Sequence, residues 1–335
     1  MILTLDMILL GLVLVSAGVS LFIRDLMAAA IAFGAYSFLM CLVWTGMGAV
    51  DVAFTEAAVG AGVSTVLFVA TIYNITRLNP GKIKRSKVFS LSAAVIVIVT
   101  GLLLMKALAD FPIFGDAYSP VNNNVAAYYI EHAEHDTKVP NIVTAVLADY
   151  RAFDTMFETG VVFIAGLAIY SILRRKKGDQ NSVVPYVETK SLIITKAAKI
   201  MVPIMQLFAL YVVAHGHHSP GGGFQGGVIL GASLILMAMA SDIQTVLKQF
   251  SERRIIILSA VGVLIFAGWG FLPLFFGGNF LDYSVLHVLL PATDEVMARS
   301  HSMLIVEIGV ALTVMMGMFS IYASLASDGR MKEGL

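Results

Sequence analysis

The chain is poor in cysteine and in charge. Its 335 residues contain a single cysteine, Cys41, which lies in an apolar run. This excludes an internal disulfide and any metal or iron–sulfur site built from several cysteines. Charged residues make up 13% of the sequence, against about 25% in soluble globular domains. The formal net charge is zero and no basic stripe with interleaved aromatic residues is present, so the sequence does not indicate nucleic-acid binding.

Apolar residues dominate the amino-acid composition. They make up 58% of the chain, and the mean hydropathy is +0.86. Apolar runs of about 20 residues match the thickness of a bilayer and favour helices over a barrel. We therefore predict an all-α, polytopic integral membrane protein. About nine spans are expected, over residues 5–23, 27–46, 50–74, 88–109, 143–173, 195–214, 224–247, 254–276 and 301–326.

The basic residues predict the orientation of these spans. Of the 22 Lys and Arg residues, 18 fall on one side of the predicted topology, mostly in the connections around residues 77–87 and 174–199. By the positive-inside rule this side is cytoplasmic. The N-terminus is then outside and the C-terminus cytoplasmic, as an odd number of spans requires. The first apolar run lacks the basic start of a signal peptide, so we expect it to be a span. A multi-pass protein of the cell (inner) membrane is predicted.

Three glutamates fall inside predicted spans: Glu56, Glu158 and Glu307. A charge at the bilayer centre costs about 2.5–3.5 kcal/mol on insertion scales, so each needs a partner, an aqueous cavity or a function. Burial makes a carboxyl group able to exchange protons near neutral pH, which favours an ion or proton relay for Glu56 and Glu158. A structural hydrogen bond to a neighbouring helix is the alternative. For Glu307, six residues after His301, the two interpretations are equally supported.

Other charged groups lie close to these carboxylates in the sequence. Asp51, near the outer end of the third span, is either solvated or part of a relay. Arg151, Asp154 and Glu158 are spaced three and four residues apart, so a helix places them on one face. Alternatively, Asp149 and Arg151 are interfacial and only Glu158 is within the membrane.

The segment HGHHSPGGGFQGGVILGAS combines histidines with glycines and is predicted to begin outside. It lacks the Gly-Lys-Ser/Thr of a phosphate loop. Its histidines are candidates for proton access at a water entrance, with metal binding or a purely structural loop as alternatives; they are His215, His217 and His218. Three glycines at four-residue spacing form a stripe for close helix packing; they are Gly223, Gly227 and Gly231. No metal site is predicted.

Several of these stretches resemble one family. DVAFTEAAVGAG is similar to the domain that ends the large subunit of Mrp-type (multiple resistance and pH) cation/proton antiporters and that forms a small subunit of membrane-bound hydrogenases. VPNIVTAVLADYRAFDTMFETGVVF resembles the element that follows it. HGHHSPGGGFQGGVILGASLIL, with IVEIGVAL, resembles the MrpB/MnhB-type subunit. The resemblance divides the chain into segments 1–110, 111–178 and 179–335, three normally separate pieces in one polypeptide without the long antiporter-like domain.

The resemblance implies a membrane subunit of a multi-subunit Na⁺/H⁺ antiporter. Its partners would be antiporter-like and small membrane subunits, Na⁺, H⁺ and lipids. Glu56 and Glu158 would carry ions or protons. Asp154 and Arg151 would form the ion pair that sets their electrostatic environment. The alternatives are a membrane-arm subunit that works with a peripheral redox arm, as in membrane-bound hydrogenases, and a scaffold whose carboxylates are structural. No cofactor is expected, and the chain itself would not be an enzyme.

Overall fold

The computed structural model describes residues 2–77, 87–113, 115–174, 192–241, 243–290, 294–327 and 329. Within these ranges the chain is helical and contains no β-strand. Nine helical segments there are long and apolar enough to cross a membrane. The predicted all-α membrane architecture is therefore confirmed for the described residues. The orientation of the termini stays a prediction, as does the division into segments 1–110, 111–178 and 179–335.

The helices are labelled in chain order. The first five are α1 (Ile2–Phe22), α2 (Leu26–Gly46), α3 (Val50–Thr55), α4 (Thr65–Arg77) and α5 (Lys87–Leu108). The next four are α6 (Ala127–Thr137), α7 (Ile142–Ala145), α8 (Ala152–Leu173) and α9 (Leu192–His215). The last four are α10 (Gly223–Ser241), α11 (Ile243–Gln249), α12 (Glu252–Phe271) and α13 (Glu295–Ala326). Short 3₁₀ turns cover Leu272–Phe276 and Tyr283–Val288.

Two predicted spans are not continuous α-helices. A π-helical segment, Glu56–Ser64, separates α3 from α4. The fifth span, predicted over 143–173, is broken: α7 is followed by a π-helical segment, Val146–Tyr150, and by Arg151 with φ −126° and ψ 32°. The spanning helix α8 begins only after this break. Apolar periodicity did not predict either change, because a π-turn inserts a residue without interrupting the apolar run.

The last helix, α13, also differs from its prediction and lies at the centre of the fold. It begins at Glu295 rather than at residue 301, because the Asp294 side chain caps it by accepting a hydrogen bond from the Met297 amide at 2.7 Å. Of the residues in its membrane-spanning stretch, 61% are buried, whereas in α1 only 6% are. Glycine pairs bring neighbouring backbones close to it: Gly309 packs on Gly262 of α12, and Gly317 on Gly166 of α8. Such small-residue contacts are typical of membrane helices.

Residues 75–132 form a compact unit of their own, and residues 1–74 with 133–335 form another. In the 75–132 unit the described side chains of α5 are exposed. Three consecutive asparagines donate hydrogen bonds to the preceding turn; Asn122, Asn123 and Asn124 bond to carbonyl oxygens of residues 116, 118 and 120. His132 stacks on Tyr128 with ring centroids 4.3 Å apart, as expected for a surface helix.

Some features of the sequence fall outside the described residues. They are most of the basic connection between α4 and α5, the linker at 175–191 with the predicted segment boundary at 178–179, Asp242, and the basic residues Arg330 and Lys332.

Candidate functional site

A cavity of about 60 Å³ lies where α3, α7, α10 and α13 meet within the larger unit. Its polar lining comes from Asp51, Thr144, Thr155, Gln225 and Glu307, and the glycine-rich loop at residues 221–223 closes one side. The volume suffices for a few water molecules, and the lining offers them hydrogen-bonding groups. The cavity is therefore a place where buried carboxylates and water can meet.

Glu307 is the most deeply buried acid of this cavity, with 8% of its surface exposed. Its Oε2 atom has no hydrogen-bond partner among the described residues. The Nε2 atom of His217, which also lacks a partner there, lies 4.0 Å from it. Gly222, with φ +125°, makes room for the carboxyl group, because a Cβ at this position would stand 2.8 Å from Oε1. The glycine loop thus shapes the space around Glu307.

Asn141 and Asp51 hold this loop in place. The Asp51 Oδ1 atom accepts a hydrogen bond from the Gly221 amide at 3.0 Å and lies 3.5 Å from the side-chain nitrogen of Asn141. That nitrogen is also 3.1 Å from the carbonyl oxygens of Gly216 and Ser219. Sequence reasoning missed Asn141, although its position before an apolar run is that of a helix N-cap, and its Oδ1 does cap α7.

A hydrogen bond connects the cavity to the start of the π-helical segment. The Nε2 atom of Gln225 donates to the Thr55 hydroxyl at 2.9 Å, and Thr55 directly precedes Glu56. The Glu56 carboxyl group leans over Gly60, where an added Cβ would collide with it and stand 2.8 Å from the Ser37 hydroxyl of α2. π-Helical turns occur frequently at functional sites, and this one sets the position of Glu56.

The predicted glycine stripe faces α13 in the same chain. A Cβ at Gly223 would collide with the backbone carbonyl of Glu307, one at Gly227 would stand 2.7 Å from that of Ala311, and one at Gly231 would stand 3.1 Å from that of Met315. The contacts on α13 also advance by four residues, so the two helices are in register. The stripe brings the Gln225 end of α10 against the Glu307 turn of α13.

The three candidate histidines do not form one cluster around Glu307. His215 stacks on Tyr211, with ring centroids 4.9 Å apart, and its ring is tilted against that of His218 at 5.5 Å. His217 is the histidine that lies near Glu307. Burial lowers the pKa of His217, and the nearby His218 and His301 shift it in the same direction. Burial therefore favours the neutral form of this ring.

The other predicted charges lie outside the cavity. Arg151 and Asp154 form an ion pair, with both side chains more than half exposed. Glu158, one turn further on, is exposed on the surface of α8. Because the backbone breaks at Arg151, this residue is the N-cap of α8 rather than part of a longer helix, but it still pairs with Asp154. The structure brings Asp51, Glu307 and His217 together, whereas Arg151, Asp154 and Glu158 lie on the surface of α8.

Sequence reasoning also missed a buried ion pair between Asp149 and Arg299. The Asp149 side chain is only 5% exposed and is bridged by the Arg299 guanidinium. Burial raises the pKa of Asp149, and Arg299 opposes this shift. Arg299 also stacks on the Tyr150 ring, whose hydroxyl donates to Asp136 at 2.7 Å. The partners are 150 residues apart, beyond the reach of local patterns.

Known proteins match the chain in three consecutive segments. The family models MbhD and MbhE, which describe the D and E subunits of MBH, match residues 11–77 and 91–190. The "domain related to MnhB subunit of Na+/H+ antiporter" matches residues 193–320. A protein of Staphylococcus haemolyticus with the name of antiporter subunit mnhB2 is 35% identical over 124 residues, which are 36% of this chain and 84% of that protein. The chain belongs to the MnhB family of antiporter subunits.

Longer relatives match more of the chain but only part of themselves. A Staphylococcus aureus protein with the name of antiporter subunit mnhA2 is 32% identical over 170 residues, 50% of this chain and 20% of that protein. A Rhizobium meliloti protein, named as the A/B subunit of a K(+)/H(+) antiporter, is 24% identical over 201 residues, 52% of this chain and 20% of that protein. The chain therefore spans about a fifth of the length of these relatives.

Two solved structures are also similar. A chain of the Mrp complex from Dietzia sp. DQ12-45-1b superposes with a TM-score of 0.74 and 27% identity, covering 98% of this chain and 35% of that chain. A chain of an archaeal membrane-bound sulfane sulfur reductase superposes with a TM-score of 0.54 and 26% identity, covering 71% of this chain and 98% of that chain. One chain of the Dietzia complex thus matches nearly the whole of this chain.

The cavity draws on all three matched segments. Asp51 and Thr55 belong to the first, Asn141 and Thr144 to the second, and Glu307 to the third. The candidate site is therefore a junction of the three segments rather than a property of any one of them.

Proposed function

We propose that this protein is a membrane subunit of an Mrp-type cation/proton antiporter and that its buried polar groups pass protons between water and partner subunits. The observation that carries the proposal is the junction cavity, in which Glu307 and Asp51 meet. Membership of the MnhB family and the superposition over 98% of the chain on a chain of the Mrp complex support it. The transported cation is Na⁺ or K⁺, since the relatives' names include both.

The proposed route begins at the histidine loop, which the distribution of basic residues predicts to be outside. His218 lies at the surface beside His215, and His217 leads to Glu307 and Asp51. From the cavity, the hydrogen bond between Gln225 and Thr55 leads to Glu56. Hydrogen-bonded side chains and a few waters are the usual elements of such a path.

The face of α8 that carries Arg151, Asp154 and Glu158 is proposed to meet a partner subunit. Phe153, Phe157 and Val161 on this helix are more than half exposed. A carboxylate among exposed apolar side chains in a membrane requires a polar partner, and a neighbouring subunit can supply it. Relatives named as parts of the Mrp complex and of antiporters support the presence of such partners.

A redox-driven complex is the second candidate. It is favoured by the matches to the two MBH subunits and by the chain of the sulfane sulfur reductase, a respiratory membrane complex. Affinity purification of this chain from its native membrane, with mass spectrometry of the retained proteins, separates the two. Antiporter-like subunits without iron–sulfur proteins support the antiporter, and co-purifying iron–sulfur or nickel–iron proteins support the redox complex.

The relay is tested by removing single titrating groups. Glu56→Gln and Glu158→Gln keep the shape of the side chain but cannot carry a proton, so each should abolish cation-dependent proton movement in inverted vesicles. Glu295→Gln, on the exposed first turn of α13, is the matched control and should transport normally. Native gels check that every complex assembles. Full transport by both test variants would leave these carboxylates with a structural role.

A further inference from the structure

The junction cavity combines a small volume with two carboxyl groups and one side-chain amide. Glu307 and Asp51 each present a carboxyl group to it, and Gln225 lines it with a side-chain amide. We infer that this cavity is a binding site for one monovalent metal cation, which exchanges with a proton on Glu307. The inference rests on the proposed function and adds to it the place where the cation is held.

The unpartnered oxygen of Glu307 is the first argument. A buried carboxylate without a compensating partner is costly, and Oε2 of Glu307 has no hydrogen-bond partner in the described part of the chain. His217 is too distant at 4.0 Å to bond to it directly. The carboxyl group therefore requires either a proton of its own or a bound cation.

The orientation of Gln225 is the second argument. Because its Nε2 atom donates to Thr55, its Oε1 atom is the free acceptor, and this oxygen stands 3.8 Å from the position of a Cβ on Gly222. The same position is 2.8 Å from Oε1 of Glu307. An amide oxygen and a carboxylate oxygen thus face the space that Gly222 leaves open, and hard cations prefer oxygen ligands of this kind.

The number of charges favours a monovalent cation. Only two carboxylates face the cavity, and no group of three or more His, Cys, Asp or Glu side chains able to hold a metal occurs in the described ranges. Divalent ions are usually held by more ligands or keep a larger water shell. A cavity of about 60 Å³ has room for one ion and one or two waters.

The exchange balances in charge and atoms. Without a cation, Glu307 holds a proton; when the cation enters, the O–H bond breaks, the proton leaves to water, and the carboxylate pairs with the cation. The other titratable groups facing Glu307 are Asp51 from α3 and His217 from the loop, with His218 and His301 near His217. Gln225 and Thr155, from α10 and α8, are neutral. Cation binding should therefore strengthen as pH rises, because fewer protons compete.

Direct cation binding tests the inference. The purified full-length chain in detergent is titrated with radioactive Na⁺, with choline as the balancing ion, at pH 6 and pH 8.5. Non-radioactive K⁺ and Li⁺ in competition show which cation the site prefers. We expect saturable binding of one cation per chain, tighter at pH 8.5. Glu307→Gln and Asp51→Asn should each weaken it at least about tenfold, the usual effect of losing one charged interaction.

Glu295→Gln on the same helix is the matched control and should bind like the wild type, and gel filtration checks that each variant is folded. Absence of saturable binding of any of these cations to the wild type, or unchanged binding in both test variants, would overturn the inference. If such a result occurs while Glu56→Gln and Glu158→Gln still abolish transport by the complex, the cation site fails and the proposed function stands.

Discussion

His217 and Glu307 face each other across 4.0 Å, and both side chains are nearly enclosed. The cavity beside them is lined by neutral or acidic groups. At the scale of single residues, neither facing atom of this pair has a hydrogen-bond partner among the described residues. The Asp149–Arg299 pair differs, because its charges are already matched, and removing one partner of such a buried pair typically costs about 3–5 kcal/mol of stability. We propose that this pair fixes the helix break at Arg151 against α13, because Asp149 lies just before the break and Arg299 is on α13.

The lowered pKa of His217 predicts how stability depends on pH. Burial holds the folded-state pKa below the ordinary value of 6.5, so the unfolded chain takes up the proton first as pH falls. The stabilisation is therefore complete above about pH 6.5 and is lost as pH falls toward the folded-state value. His217→Gln should flatten the fall of Tm between pH 7.5 and 5.5. His287→Gln, at an exposed position that does not shift the pKa of His217, should leave it unchanged. Equal slopes for wild type and His217→Gln would contradict the assignment.

The pairing of α10 with α13 is the contact between elements on which the site depends. Gly223, Gly227 and Gly231 bring the two backbones together, and the same contact sets Gln225 beside the Glu307 turn. At the same scale, the π-helical segment places Glu56 against α2. Both features set the position of a polar side chain through the backbone rather than through side-chain packing.

Two alanine substitutions should therefore have opposite effects on stability. Gly227→Ala places a Cβ 2.7 Å from the carbonyl oxygen of Ala311 and should destabilise the protein by about 1–3 kcal/mol, as overpacking does. Gly268→Ala on α12, where no described atom lies within 4 Å of the new Cβ, should be neutral or stabilise by up to about 1 kcal/mol through helix propensity. Thermal unfolding in detergent measures both. A Tm for Gly227→Ala at or above that of Gly268→Ala would contradict the close contact.

Local patterns in the sequence were sufficient to predict the helices but not the candidate site. Runs of apolar residues predicted nine spans, and four-residue glycine spacing singled out a face of α10 that packs closely on α13. The cavity depends instead on contacts such as that between Asp51 and Gly221, which are 170 residues apart. Without an alignment, no local signal connects such positions. Glu307 was expected six residues into its span, because the helix was expected to begin at 301; α13 begins at Glu295, so Glu307 lies about 18 Å along the helix.

At the scale of the whole molecule, the predicted orientation is accessible to cysteine labelling. In a Cys41→Ser background, a membrane-impermeant reagent applied to intact cells should modify Ala117→Cys, which lies in the connection predicted outside. It should spare Gln249→Cys, next to the basic residues predicted inside; both positions are exposed in the structure. Labelling after permeabilisation checks that each cysteine is reactive. The reverse pattern would invert the topology and place the histidine loop inside.

For the molecule as a whole, we propose that the three segments build one proton-exchanging site around Glu307. Cation-dependent ΔpH in inverted vesicles, measured for complexes that contain wild type, Glu307→Gln or Glu295→Gln, tests this most directly. We predict that Glu307→Gln lowers the signal to background, because loss of a proton-transferring group typically costs about 100-fold or more, while the complex assembles on native gels and Glu295→Gln transports normally. Wild-type transport by an assembled Glu307→Gln complex would contradict the claim.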